Sequence, residues 1–99
     1  MNKLDWYTKE KWITGQSAMD AAGNDISATS QYAVKFDLYS AFVVSYGNKK
    51  EMHERMDALK MIAQVQFKDK LKGLPTRPGL CEIADQLTYE ETKLLINYL

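Results

Sequence analysis

The fold of this chain is decided by the stretch KKEMHERMDALKMIAQVQFKDKLK, residues 49–72. Apolar residues recur there at the three- and four-residue spacing that places side chains on one face of an α-helix. The main row consists of Met52, Met56, Leu59, Ala63 and Phe67. A second row on the far side consists of Ala58, Met61 and Val65. The pattern predicts a helix capped by Asn48 and ended by Gly73, with more apolar surface than one small domain readily covers.

The preceding residues predict a central helix over 31–46. Ser30 or Thr29 provides the N-cap oxygen, and Gly47 provides the residue that readily adopts the left-handed conformation closing a helix. Two apolar rows fit this helix, one of Tyr32, Phe36, Tyr39, Val43 and Tyr46 and one of Val34, Leu38 and Ala41. Because Gly47 alone separates the two helical patterns, the helices form a tight antiparallel pair or meet at a steep angle.

Shorter helices are predicted at both ends of the chain. Residues 4–12, 80–86 and 89–98 each carry helical periodicity. In the stretch Thr88-Tyr89-Glu90-Glu91, Thr88 and Glu91 match a capping box, in which each side chain binds the backbone amide of the other residue. The inner face of the last helix is predicted to consist of Thr92, Leu95, Ile96 and Leu99.

Between the first and the central helix, residues 14–29 are rich in residues that tolerate positive φ, among them Gly15, Gly23 and Asn24. They predict an ordered loop in which residues 17–19 and 26–28 form a tiny hairpin. The predicted fold class is therefore mainly α, a compact bundle of about four to five helices with a Gly-rich loop or tiny hairpin after the first helix. The whole chain, 1–99, is expected to form a single helical domain.

Composition gives no global argument for binding to nucleic acid or to a membrane. Thirteen basic and thirteen acidic side chains cancel, so overall charge gives no reason to bind nucleic acid or an anionic membrane. No apolar run is long enough for a signal peptide or a membrane span. The single cysteine, Cys81, has no disulfide partner, which fits a reducing compartment. We therefore expect a cytoplasmic protein without membrane association.

No residue pattern indicates catalysis, a metal or a cofactor. His53 and Cys81 lie 28 residues apart, with no second ligand or catalytic group near either. Cys81 is interpreted as a structural thiol, although the start of a helix would lower its pKa if the sulfur were exposed. Asp20, Asn24 and Asp25 lack the alternate spacing of a calcium loop and indicate a turn. We expect no enzyme activity and no cofactor.

Charge is uneven along the chain. Residues 49–77 carry eight basic and four acidic side chains, whereas residues 78–99 carry one and four. The basic segment 49–77 suits nucleic acid, but Glu51, Glu54 and Asp57 interrupt any stripe that would follow a phosphate backbone. Nucleic-acid binding or regulation through 49–77 is therefore the alternative function, behind protein binding.

The side chains best suited to bind a protein partner are apolar and aromatic. Methionine lines adaptable binding surfaces, and tryptophan anchors interfaces, but both residue types also fill cores. Arginine in an exposed loop between two prolines adds a third kind of anchor. The candidate partner-binding residues are Trp6, Trp12, Met52, Met56, Met61, Val65 and Arg77.

One set of residues resembles a known sequence pattern. It consists of Trp12, Gly15, Ala18, Asp20 and Gly23, then Ser30, Ala33, Phe36, Leu38 and Ala41, and it closes with Ile83-Ala84-Asp85, Thr88-Tyr89-Glu90-Glu91 and Leu94-Leu95. The pattern is similar to that of a family of uncharacterised small proteins of bacteria and their phages, in which a turn is followed by a helix carrying a Gly-Ala pair. This chain departs from it where Ser40-Ala41 replaces that pair. The resemblance implies a phage or prophage source and no catalytic residues.

The leading hypothesis is therefore a small phage or prophage accessory protein that works by stoichiometric protein binding. It would inhibit a host enzyme or a defence system, as an anti-defence or anti-CRISPR type of protein, in the cytoplasm of the host cell. The second face of the helix over 49–72 also suits a homodimer. A third hypothesis is an enzyme with a small-molecule site in the loop 15–29, for which Asp20 is the residue to test.

Overall fold

The computed structural model of the chain describes residues 3–76 and 78–99. Within these residues, a short 3-10 turn at Lys9–Lys11 precedes two strands and four helices. The elements are β1 (Ala18–Asp20), β2 (Ala33–Phe36), α1 (Leu38–Tyr46), α2 (Lys50–Gln66), α3 (Leu80–Ala84) and α4 (Tyr89–Asn97). The fold is thus mixed α/β, although it is mainly helical.

The predicted bundle of four to five helices is wrong because residues 31–46 do not form one helix. Their first half forms β2, and α1 begins only after Asp37. The backbone of Asp37 is extended, with a ψ of 174°, and its carboxylate accepts a 2.7 Å hydrogen bond from the amide of Ser40. This is N-cap geometry, so Asp37 starts the helix in place of the predicted Ser30 or Thr29.

The two apolar rows predicted for 31–46 do not survive this change of structure. Tyr32 and Tyr39 are exposed, as is Val34 on β2. Phe42, which belonged to neither predicted row, is fully buried. Side chains return to the same face every second residue in a strand but about every 3.6 residues in a helix. A single helical spacing therefore cannot describe both β2 and α1.

β1 and β2 form a two-stranded antiparallel sheet. Ala18 lies opposite Phe36, and a bulge follows Met19 along β1. The predicted hairpin placed the first strand within one residue but gave it the wrong partner. Residues 26–28 are not a strand, although the Ile26 amide donates to the Ala18 carbonyl at 3.2 Å and the preceding Asp25 forms an isolated antiparallel bridge with Met19. The real partner strand comes later in the chain, beyond the range of local turn signals.

The helix predicted over 4–12 is also wrong. Leu4 and Tyr7 are fully buried, but the amide of Tyr7 bonds to the carbonyl of Leu4 in a tight turn, and only Lys9–Lys11 form a single 3-10 turn. The phenolic hydroxyl of Tyr7 donates a 2.6 Å hydrogen bond to the carbonyl of Phe36. This bond ties the N-terminal segment to the sheet.

The later helices follow their local signals more closely. Gly47 ends α1 in the left-handed conformation, with a φ of 71°, as predicted. The cap of α2 is Lys49 rather than Asn48, and α2 ends at Gln66, after which turns replace the last predicted helical residues. The capping box of α4 is confirmed, because Glu91 donates its amide to Thr88 Oγ1 at 3.2 Å and accepts the Thr88 amide at 2.9 Å.

The core lies where α2 packs against α1, α3 and α4. Its members from α2 are Met52, Met56, Leu59 and Ala63. From α4, Thr92, Leu95 and Ile96 are buried as predicted. The core therefore covers one side of α2, and the opposite side is the starting point for any binding surface.

Candidate protein-binding surface

Of the two apolar rows predicted for α2, one lies in the core and the other is largely exposed. Met61 follows Met52 by nine residues, which at about 100° per residue places it half a turn away from the core. Its side chain is 70% exposed, and that of Val65, one turn later, is 77% exposed. Ala58, one turn earlier, is half-buried. We call Ala58, Met61 and Val65 the outer row of α2.

Met52 and Met56, which were also predicted to bind a partner, belong to the core. Their side chains are 0% and 8% exposed. They pack with Leu59 and Ala63 on the face of α2 that the other helices cover. Neither methionine is accessible to a partner in this fold, so only the far row of the helix offers contact surface.

The two tryptophans hold the N-terminal segment in place. The indole of Trp6 is half-buried, donates a 2.7 Å hydrogen bond to Ser45 Oγ and meets the ring of Phe36 edge-on, with centroids 5.4 Å apart. Trp12 is half-buried, and its ring meets that of Tyr89, with centroids 6.1 Å apart. Both rings therefore have structural partners inside the chain.

One atom of this N-terminal segment lacks a partner. The indole nitrogen of Trp12 is buried and makes no hydrogen bond in the part of the chain that the structure describes.

The last candidate residue, Arg77, lies outside the described residues.

Sequence reasoning missed two exposed apolar residues, Leu94 on α4 and Tyr98 at the C-cap of that helix. Leu94 and Tyr98 are 46% and 55% exposed, one turn apart on the side of α4 away from its buried row. α4 runs antiparallel to α2, because Arg55 bonds to the carbonyl of Leu99 at 2.9 Å and Lys70 pairs with Glu91 at the other end. The four-residue spacing of Leu94 and Tyr98 was the sequence signal for this second apolar strip.

Several cations of the basic segment are already engaged by the chain itself. Lys60 pairs with Asp57 at 3.4 Å, and Lys70 pairs with Glu91. Arg55 lies 3.9 Å from Glu51. These partners are exposed or half-exposed, so each pair contributes little to stability, but each also lowers the positive potential available to a phosphate backbone.

Two further cations of this segment border a cleft after α2. Lys68 and Lys72 line it together with Gln64, Pro75 and Pro78, and its volume is about 500 Å³. Asp69 also lines this cleft and offsets part of its positive charge.

A second open cleft lies beside the loop named in the enzyme hypothesis. It has a volume of about 730 Å³ and is lined by residues 15–17, residues 25–28 and the side chains of Tyr39, Ser40 and Val43. Asp20 does not line it. Instead, Asp20 Oδ1 accepts the amides of Ala22 at 3.0 Å and Asn24 at 2.8 Å, which fixes the turn. These hydrogen bonds lower the pKa of Asp20, and the bond from the Asn24 amide has the largest effect.

Cys81 does not have the lowered pKa of an activated thiol. Its sulfur lies 3.8 Å from Asp37 Oδ2, at the edge of a small cleft that Asp85 also borders. Although Cys81 is an exposed residue, partial burial of its sulfur, and then the negative charge of Asp37, raise the pKa of the thiol. The thiol therefore stays protonated at neutral pH, and the lowered pKa considered for an exposed sulfur does not occur.

Two kinds of feature are absent from the described residues, 3–76 and 78–99. They contain no group of three histidine, cysteine, aspartate or glutamate side chains placed to hold a metal ion. No helix among them has the length and apolar character needed to cross a membrane.

No known family model, curated protein or solved structure matches this chain. The resemblance to small phage and bacterial proteins therefore stays a prediction, and the argument for function rests on the surface just described.

Proposed function

We propose that this chain is a small accessory protein that acts by stoichiometric protein binding, with the outer row of α2 as its contact surface. The observation that carries the proposal is the exposure of Met61 and Val65 on a helix whose other face is fully covered. The two side chains lie one turn apart and form a short apolar ridge.

Burial of this ridge would favour association. A single exposed apolar residue is common on protein surfaces, but adjacent large ones are typical of an interaction site. Covering Met61 and Val65 contributes about 3–6 kcal/mol before the entropy lost on association is subtracted. Methionine adapts its shape to a partner at little cost, so Met61 suits the centre of such a contact.

The proposal includes a host partner and a cytoplasmic location. A host enzyme or a defence complex is the target that the resemblance to small phage and bacterial proteins implies. The support for this part is the resemblance together with the absence of a catalytic pattern in the sequence. The support for the contact surface is different: Met61 and Val65 are exposed, and they lie one turn apart on α2.

The alternative, nucleic-acid binding through 49–77, has weaker support. Arg55, Lys60 and Lys70 lie beside carboxylates, and Glu54 stands next to the outer row. A protein that binds a phosphate backbone loses affinity by orders of magnitude as salt rises. Binding through Met61 and Val65 would change little over the same range of salt.

Co-purification from bacterial cells tests the proposal. A tagged chain is co-expressed with an untagged copy, as wild type, Met61→Lys and Val44→Lys. Val44 is a matched control, since it is 46% exposed on α1 and its substitution adds the same charge elsewhere. We expect wild type and Val44→Lys to retain the same protein, whether the untagged copy or a host protein, in the same amount as each other, and Met61→Lys to lose it. Identical retention by all three would overturn the proposal.

A further inference from the structure

The outer row of α2 is extended by a charge at each end. Glu54, Ala58, Met61, Val65 and Lys68 follow one another at spacings of four, three, four and three residues. From Glu54 to Val65, within α2, this is the spacing of the seam of a coiled coil, where two helices meet along one stripe, and Lys68 follows two residues after the helix ends. The stripe is acidic at its start, apolar in its middle and basic at its end.

The two terminal charges have no partner among the residues that the structure describes. The side chains of Glu54 and Lys68 are exposed and form no ion pair or hydrogen bond with any residue in the ranges 3–76 and 78–99. Their acidic neighbours differ, because Glu51 pairs with Lys3 and Arg55, and Asp57 pairs with Lys60. Lys68 lies just past the end of α2, where a backbone bond of 3.1 Å from Leu71 to Phe67 keeps the chain turning.

Two copies of this stripe have complementary charges only when the two α2 helices are antiparallel. Glu54 lies seven residues before Met61, and Lys68 lies seven residues after it. If two copies meet antiparallel with Met61 on the two-fold axis, Glu54 of each copy stands opposite Lys68 of the other. A parallel pair would instead place Glu54 against Glu54 and Lys68 against Lys68, which is unfavourable.

We propose that the outer row of α2 binds a second copy of this chain, with the two α2 helices antiparallel and Met61 at the two-fold axis. The inference rests on the proposed function, because it names the partner of the same surface. A second copy is the partner that the charges favour, because it supplies a Lys68 for each Glu54, a Glu54 for each Lys68 and the matching apolar ridge.

The size of the contact sets the expected strength. Within α2 the stripe runs from Glu54 to Val65, eleven residue steps or about 17 Å of helix at 1.5 Å per residue, and Lys68 follows after the helix ends at Gln66. A contact between two such stripes lies at the low end of specific interfaces, near about 1,000 Å² in total. The dimer is therefore reversible and depends on concentration rather than obligate.

Sedimentation velocity over about 10 μM to 1 mM protein tests the inference. The variants are Glu54→Lys, Lys68→Glu and the double substitution, with Met61→Lys and the control Val44→Lys. We expect each single charge reversal to weaken the dimer about tenfold or more, because the two-fold axis places two like-charged pairs in the contact. The double substitution exchanges both charges and should restore the wild-type affinity. Met61→Lys should give a monomer, and Val44→Lys should behave as wild type.

Three results would overturn the inference: a wild-type monomer throughout this range, a dimer that Met61→Lys leaves intact, or a double substitution no tighter than the single ones. Circular dichroism of each variant shows that it is folded. A monomeric wild type that still captures a host protein through Met61 would retain the proposed function and remove only the self-association. A chain that captures nothing through Met61 in either experiment would remove both.

Discussion

Met56 and Met61 lie five residues apart on α2 and face opposite environments. Met56 is 8% exposed within the core, whereas Met61 is 70% exposed on the outer row. The same residue type therefore occupies two different environments on one helix. Substitution should therefore affect stability differently at the two positions, because loss of a buried side chain leaves a cavity and loss of an exposed one does not.

The first prediction compares alanine substitutions at these two positions. Met56→Ala should lower the free energy of unfolding by about 2–5 kcal/mol, because it empties a packed site. Met61→Ala should change it by no more than about 0.5 kcal/mol. Urea denaturation of both variants measures the difference. Equal losses of stability would mean that Met61 is part of the core and would contradict the account of the outer row.

The second prediction concerns Asp20. Because hydrogen bonds from the Asn24 and Ala22 amides lower its pKa, the folded state favours the carboxylate. Its contribution to stability is therefore present at neutral pH and is lost as the pH falls through the lowered pKa. Asp20→Asn should reduce the melting temperature at pH 7 and flatten its decline in acid. Asp25→Asn, in the same loop, is the control.

The outcome at Asp20 also decides the enzyme hypothesis. A catalytic carboxylate can be replaced by an amide without loss of stability, whereas a turn residue cannot. An Asp20→Asn protein with unchanged melting temperature across the acid range would contradict the structural role.

The third prediction concerns Tyr7 at alkaline pH. Burial, followed by the charge of Asp37, raises the pKa of Tyr7 above its ordinary value. The unfolded chain releases this proton near about pH 10 while the folded chain retains it, so stability should fall as the pH rises past that value. Tyr7→Phe should remove this part of the alkaline loss, at a cost of about 1 kcal/mol at pH 7 for the lost hydrogen bond to Phe36.

Chemical denaturation at pH 7 and above pH 10 measures both effects of Tyr7→Phe. Tyr32→Phe, at an exposed position, is the matched control. An alkaline stability loss that is the same in wild type and Tyr7→Phe would contradict the buried position of the hydroxyl.

The fourth prediction uses the contact between Cys81 and Asp37. Burial and the Asp37 carboxylate raise the pKa of the thiol, so wild-type Cys81 should react slowly with a disulfide reagent at pH 8. Asp37→Asn removes the negative charge and keeps an oxygen for the Ser40 amide, so the reaction should become faster. Asp85→Asn, whose charge has a smaller effect on the same pKa, should accelerate it less. A slower reaction in Asp37→Asn would contradict this assignment.

The parts of the fold that could be predicted depend on neighbours in sequence. The capping box at Thr88 and Glu91 is complete within four residues, so α4 begins where expected. Gly47 likewise ends α1 through its own backbone conformation. The two rows of α2 follow from periodicity alone, and they correctly separated Met56 from Met61.

The parts that could not be predicted depend on distant partners. β2 pairs with β1 across a gap of twelve residues, and the spacing of Phe36, Tyr39 and Val43 fits a helix equally well. Asp37 was the available local signal for the true start of α1, but an aspartate inside an apparent helix is not decisive without the strand before it. Whether a tryptophan such as Trp12 packs inside or anchors a partner is also a tertiary question, because its ring contact is with Tyr89, far along the chain.

The central claim is that the outer row of α2 touches another protein molecule, and site-specific photo-crosslinking tests it most directly. A benzophenone amino acid is placed at position 61, or at the control position 44, and the cells are irradiated before lysis. The account predicts a covalent adduct of defined mass from position 61, with a second copy of the chain as the crosslinked protein, and none from position 44. Equal crosslinking from both positions, or no adduct from position 61, would contradict it.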